Sequence, residues 1–133
     1  MSNSVGIGFD SHILVPGRDF VLGGIVIDFP LGPQGHSDGD PLTHSLIDAM
    51  LGAAALGDIG EMFPESDPSI EGESSIKFLI DAYKVIQSRD LRINNADATI
   101  YVDEPALGPH RKTIESNLAD ALGITLGLSL RQS

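Results

Sequence analysis

Hydrophobic and polar positions change their period several times along the chain, and each change marks an element. Val5 to Ser11 alternates apolar residues with glycine, the period of two expected of a short strand. At its end Asp10 and His12, two residues apart, are expected on one face. Phe20-Val21-Leu22, Gly23-Gly24 and Ile25-Val26-Ile27 read as a hairpin closed by a two-glycine turn, and Pro30 to Gly35 reads as loop. Leu46, Ile47, Met50, Leu51 and Ala54 recur at helical spacing, which predicts a helix from about Pro41 toward Leu56. Ile76, Leu79, Tyr83 and Ile86 predict a second helix over Ser75 to Ser88, with Lys77, Asp81 and Lys84 outside. Arg92 to Val102 reads as a strand, alternating at Ala98, Ile100 and Val102, and Pro105 to His110 as a Gly/Pro loop. A third helix, Arg111 to Leu122, buries Ile114, Leu118 and Leu122 and stops at Gly123. Ile124 to Arg131 then runs on from helix to strand-like residues without evident turn chemistry. These elements fill one domain over residues 1–133, with a mostly aliphatic core.

The densest chemistry lies between Gly35 and His44, where two histidines and two aspartates fall within ten residues. Asp40 suits a helix N-cap and Pro41 the first helical position. His44 then projects from the first turn, with Asp48 one turn further along the same face. Asp10, His12 and His44 together supply one carboxylate and two imidazoles, a common protein set for zinc; the alternative is that these are ordinary polar surface residues. His36 and Ser37 sit just before a helix N-terminus, a place that suits a phosphate or simply an exposed polar loop. Gly57 to Pro68 has no periodicity, carries several acids and is long for a passive connector. Its carboxylates suit sugar hydroxyls, or solvent.

Composition narrows the choices. The chain has 133 residues, is 41% hydrophobic and 20% charged, and so reads as globular rather than disordered. With no cysteine it excludes disulfides and thiolate metal sites, leaving His, Asp and Glu as ligands. A formal net charge of −11 argues against nucleic-acid and anionic-membrane partners. It also means that an anionic substrate needs bound cations to offset the protein's field. The polar start at Met1-Ser2-Asn3-Ser4 has no signal core or basic transit segment, and no run reaches transmembrane length. A cytosolic protein, or a mature form already processed, is expected.

Taken in series, Gly8-Phe9-Asp10-Ser11-His12, Leu22-Gly23-Gly24, Gly35-His36-Ser37-Asp38-Gly39-Asp40 with His44, Leu51 to Gly60, and Phe63-Pro64-Glu65-Ser66-Asp67-Pro68 resemble the 2-C-methyl-D-erythritol 2,4-cyclodiphosphate synthase family. The resemblance runs from about Val5 to Gly123. It implies a reaction in which the 2-phosphate of 4-CDP-2-C-methyl-D-erythritol 2-phosphate attacks the β-phosphate, releasing CMP and closing a cyclic diphosphate. By matching position, Asp10, His12 and His44 would hold zinc, and His36 would stabilise the transition state with Ser37 beside it. Ser11 lies within the matched substrate-binding stretch with Asp10 and His12. Asp58, Ile59 and Gly60 would meet the ribose. Phe63, Pro64, Glu65, Ser66 and Asp67 would line the methylerythritol pocket. Val102, Asp103, Glu104, Pro105, Ala106, Leu107 and Gly108 correspond to the cytosine loop, although Asp103, Glu104 and Ala106 are not the commonest residues there; Pro105, Pro109 and His110 fit.

The fold implied is a small α/β sandwich: a mixed sheet of about four strands backed by three helices, plus a short hairpin. The assembly implied is a homotrimer with active sites between subunits, in the bacterial cytoplasm or, after loss of a transit peptide, the plastid stroma. Family members continue after the third helix through a strand, a Thr-rich segment with a glutamate that helps hold magnesium or manganese at the diphosphate, and a last strand. Here that segment is not found. Leu126 to Leu130 is therefore expected to be the remnant of the terminal strand, joined across a discontinuity after about residue 124. The same zinc set would also serve a phosphodiesterase or phosphatase with water as nucleophile, and a chain truly lacking that segment would suit a non-catalytic metal-binding trimer.

Overall fold

Helix α1 (Pro41–Ala53) is where the fold converges. The computed structural model describes residues 3–35 and 37–132. Before α1 come four three-residue strands: β1 (Leu14–Pro16), β2 (Phe20–Leu22), β3 (Ile25–Ile27) and β4 (Leu31–Pro33). After it come the single turn α2 (Ile59–Met62), helix α3 (Ser75–Ser88), strand β5 (Ala96–Tyr101), helix α4 (Arg111–Leu122) and strand β6 (Leu126–Arg131). Short 3-10 turns occupy Pro68–Ile70 and Gly108–His110. The apolar stripes of α1, α3 and α4 meet in one core in which Ile47, Leu51, Leu79, Ile114 and Leu118 are fully buried. The periodicity placed α3 and α4 at their observed bounds and the β2–β3 hairpin in register, with Leu22 opposite Ile25.

Four expectations are corrected. First, helix α1 ends at Ala53, short of Leu56: Ala55 takes a positive φ of 57° and the Leu56 N–H turns back to the Leu51 carbonyl. Second, the Pro30–Gly35 loop contains β4, which pairs antiparallel with β1, Pro16 opposite Leu31. Gly32 and Pro33 have low strand propensity, so only the pairing reveals it. Third, Val5 to Ser11 is extended and alternates between faces but joins no sheet among the described residues. Its even-numbered side lies across α1. A Cβ on Gly6 would fall 1.8 Å from the Ala49 carbonyl oxygen, and one on Gly8 would fall 1.9 Å from that of Ser45, so only glycine permits this approach. The described strands accordingly form three two-stranded pairs rather than one four-stranded sheet.

The fourth correction concerns the C-terminal residues. Gly123 closes α4 in the left-handed conformation, φ 66°, and so supplies the turn. β6 then pairs in parallel with β5 over its whole length, Ala96 opposite Leu126 and Tyr101 opposite Arg131. The join of helix to strand therefore does contain a turn, and β6 lies directly beside β5. The Leu128 N–H donates to Glu115 Oε2 at 3.0 Å, tying strand to helix.

Asp40 joins hairpin to helix. It is completely buried and caps α1 as expected, Oδ1 accepting from the Thr43 N–H at 3.0 Å. The same oxygen accepts from the Gly23 N–H at 3.0 Å. Oδ2 accepts from the Gly24 N–H and the Thr43 hydroxyl, each at 2.7 Å. Asn117 of α4 donates to the Gly23 carbonyl at 2.8 Å, so the two-glycine turn is gripped from two helices. Burial pushes the Asp40 carboxyl above the ordinary aspartate value, against the pull of the Thr43 and Gly23 donors. Asp40→Ala strands these buried donors and is expected to cost about 3 kcal/mol or more in urea unfolding. Asp40→Asn is expected to cost less but still measurably, because its NH2 group faces N–H donors where an oxygen is needed.

Candidate metal centre

The segment that crosses α1 delivers Asp10 and His12 to the same side as His44, which is buried in the first turn of the helix. Asp10 Oδ2 lies 2.7 Å from His12 Nε2 and 3.3 Å from His44 Nδ1. The two imidazole rings are tilted by 53°, centroids 5.5 Å apart. One ligand atom from each of the three residues lies within 4.8 Å of the others. Two imidazole nitrogens and a carboxylate oxygen converging in this way fit a divalent metal ion.

The electrostatics agree with that fit. Burial opposes ionisation of Asp10, but hydrogen bonds from His12 and His44 outweigh it and hold its carboxyl well below the usual range. The hydrogen bond to Asp10 raises His12 above the ordinary histidine value, against its burial. His12 Nδ1 is buried without a hydrogen-bond partner among the described residues, while Nε2 faces Asp10. Nε2 is therefore the nitrogen placed to face an ion held with Asp10.

Other residues singled out in the sequence fall into three places. Ser37 is buried beside His44, with Oγ 3.2 Å from His44 Nε2, and its carbonyl accepts from Arg18 Nη2 at 3.2 Å. Ser11 is exposed, and His36 lies outside the described residues. The acidic loop hangs from α1: Asp48 Oδ1 accepts from the Ile59 N–H at 2.8 Å, while Asp58 caps α2 through the Glu61 N–H at 2.9 Å. Gly60, Pro64, Glu65, Ser66 and Asp67 are exposed and Ile59 is half-buried. Phe63 stacks on Phe78 of α3 at 4.6 Å, and Asp67 accepts from the Ser69 N–H at 3.0 Å, bonds that lower its carboxyl below the ordinary value. Residues 102–108 follow β5 elsewhere in the chain. Gln132 pins them, accepting from the Leu107 N–H at 3.0 Å and donating to the Pro105 carbonyl at 2.8 Å. A hollow of about 470 Å³ beside this loop is lined by Tyr101, Val102, Asp103, Arg131 and Gln132. Sequence reasoning missed Gln132 and Ser75, because neither belongs to a motif; their roles exist only through partners 25 to 38 residues away.

A profile of the YgbB family matches residues 3–128. The chain belongs to the YgbB family. It is similar to the 2-C-methyl-D-erythritol 2,4-cyclodiphosphate synthase of Agathobacter rectalis, 49% identical over 120 residues, covering 90% of this chain and 68% of that protein. The chloroplastic synthase of Arabidopsis thaliana is 45% identical over 119 residues, covering 90% of this chain and 52% of that one. A solved structure of such a synthase with CDP bound superposes with a TM-score of 0.90 at 40% identity, covering 97% of this chain and 88% of that one. Placement of the Asp10, His12 and His44 cluster in a YgbB-family chain makes a divalent metal its expected occupant.

His12→Ala and His44→Ala are each expected to lose a stoichiometric divalent metal ion by elemental analysis, whereas His110→Ala keeps it. Because a metal-ligating imidazole has to be neutral, protons compete with the ion. His12 is raised, so metal affinity is expected to fall as pH drops through and below a raised histidine pKa, with a midpoint above that of a free imidazole, in a chelator-competition titration.

Proposed function

We propose that the chain is a 2-C-methyl-D-erythritol 2,4-cyclodiphosphate synthase, an enzyme of the lyase class in non-mevalonate isoprenoid biosynthesis. It converts 4-CDP-2-C-methyl-D-erythritol 2-phosphate to the cyclic diphosphate and CMP. An oxygen of the 2-phosphate bonds to the β-phosphorus, the bond from that phosphorus to the bridging oxygen breaks, and CMP leaves with the bridging oxygen. No water enters the product, which separates this reaction from a phosphodiesterase or phosphatase. The observation that carries the reading is the Asp10, His12 and His44 cluster beside a loop hung from the same helix, in a chain matched to the YgbB family over residues 3–128.

Asp10, His12 and His44 would hold zinc, which when bound neutralises phosphate charge and polarises a phosphoryl oxygen. A second divalent ion, magnesium or manganese, would be carried mainly by the diphosphate, since among the described residues one group alone offers three ligand atoms. Cations matter here because a protein with a net charge of −11 otherwise repels its anionic substrate. Asp58 and Gly60 sit exposed at the start of α2, where they can meet ribose hydroxyls. Phe63, fixed by its stack on Phe78, offers an apolar wall to the methylerythritol, with Glu65 and Asp67 on the same loop. Residues 102–108, tied by Gln132, would read cytosine through backbone groups. His36 would stabilise charge in the transition state, with Ser37 next to it.

A homotrimer is supported by an uncovered apolar stripe. Val5, Ile7 and Phe9 are 95%, 90% and 85% exposed on the side of their segment turned away from α1, and Ile13 and Tyr101 are also exposed. Contiguous apolar surface of this kind marks an interface, and a second copy of this chain would cover it and complete sites between subunits. No helix among the described residues is long and apolar enough to cross a membrane. The working compartment is the bacterial cytoplasm or the plastid stroma, a reading supported by the similarity to the chloroplastic synthase of Arabidopsis thaliana.

Phosphorus NMR of the CDP-linked substrate with protein, zinc and magnesium is expected to show a cyclic diphosphate and CMP; inorganic phosphate or a linear product would overturn the reading. His36→Ala is expected to keep zinc and lose turnover by about 10²-fold or more. Sedimentation is expected to give a trimer mass, and Ile7→Asp to shift it toward monomer without zinc loss.

A further inference from the structure

Ser75 stands at the first residue of α3, completely buried, and its hydroxyl oxygen lies 2.8 Å from His44 Nε2. The same hydroxyl bonds to Asp38 Oδ1, and the Ser75 N–H donates to Asp38 Oδ2 at 3.0 Å. An ionised carboxylate only accepts, so the one hydroxyl proton of Ser75 goes to Asp38. Ser75 Oγ can then act toward His44 only as an acceptor, which puts the ring proton of His44 on Nε2. A neutral imidazole carries one N–H, so a proton held on Nε2 frees Nδ1, the nitrogen 3.3 Å from Asp10 Oδ2, to offer its lone pair to a metal ion, while in the metal-free protein the Asp10 carboxylate competes for that proton at Nδ1. Ser37 Oγ, 2.9 Å from Ser75 Oγ and 3.2 Å from His44 Nε2, fits the same direction of donation.

We propose that Ser75, held by Asp38, is a positioning residue that sets the tautomer and ring orientation of His44 as a metal ligand. This rests on reading Asp10, His12 and His44 as the metal site. It assigns a role to two residues outside the ligand set, one at the start of a helix 31 positions further along the chain than His44. Partners of this kind commonly fix the ligating nitrogen and raise its basicity. The arrangement also separates fold from function. Ser74, the N-cap of α3, makes no side-chain cap bond, and Asp38 caps the helix instead through the Ser75 N–H. Ser75→Ala removes the hydroxyl relay but leaves that backbone cap in place.

Two readouts test the proposal. The first uses metal-free protein with labelled histidine at pH 8, where long-range proton–nitrogen NMR distinguishes the tautomers. His44 is expected to carry its proton on Nε2 to a greater extent in the parent than in Ser75→Ala, where Asp10 draws it to Nδ1. The second is zinc affinity by chelator competition, expected to weaken by about 10- to 100-fold in Ser75→Ala. Asp38→Asn keeps the shape of the carboxylate and removes its charge, and is expected to move both readouts in the same direction should Ser75→Ala fail to fold. An unchanged tautomer together with unchanged zinc affinity in a folded variant overturns the proposal. A parent that binds no zinc but loses its tautomer in Ser75→Ala supports the control of His44 and removes the metal reading instead.

Discussion

Two aspartates separated by one glycine hold this structure together. Asp40 accepts from the Gly23, Gly24 and Thr43 N–H groups and the Thr43 hydroxyl, so it caps α1 and fastens the β2–β3 turn to it. Asp38 reaches the other way, to the backbone and hydroxyl of Ser75 at the start of α3, and also accepts from the Asp40 N–H at 3.1 Å. Gly39 between them has φ +76°, and a Cβ there would fall 2.3 Å from the Pro33 carbonyl oxygen. A turn this tight lets carboxylates two residues apart serve the N-termini of two different helices. Buried charge without a cation is normally costly. Here backbone donors and helix N-termini satisfy both carboxylates, which offsets part of that cost, though burial still holds Asp40 above the ordinary aspartate value.

The same turn sets the metal cluster. Capping α1 at Asp40 fixes where the first helical turn begins, and so where His44 projects. Capping α3 at Ser75 places a hydroxyl against the far nitrogen of that histidine. The other two members of the cluster arrive on a segment pressed so closely against α1 that Gly6 and Gly8 touch its carbonyls. The acidic loop is attached one turn further along the helix, through Asp48 and the Ile59 N–H. One rigid element therefore carries one member of the cluster, sets the position of the other two and anchors the loop assigned to the sugar. Rigidity of this kind suits phosphoryl transfer, where placement of charged groups does most of the work.

The chain by itself determined its main helices and the three residues of the Asp10, His12 and His44 cluster. The 3.6-residue recurrence of Ile76, Leu79, Tyr83 and Ile86 and of Ile114, Leu118 and Leu122 is a local property, and α3 and α4 lie where it placed them. Asp40-Pro41 marked a helix start through backbone chemistry that needs no distant partner, and the paired glycines marked the hairpin for the same reason. Asp10, His12 and His44 were legible because strand and helix periods each assign a face. Tertiary structure decided the rest. β4 exists only because Leu31 to Pro33 found β1, and β6 is recognised as a parallel neighbour of β5 only from its register. The segment of residues 5–11 kept the alternation of a strand but joined no sheet, because pairing depends on a neighbour and periodicity does not. Ser75 and Gln132 carried no local signal. Their importance comes from partners far away in sequence, and hydrogen bonds across such separations become readable only when the folded chain brings donor and acceptor to within about 3 Å.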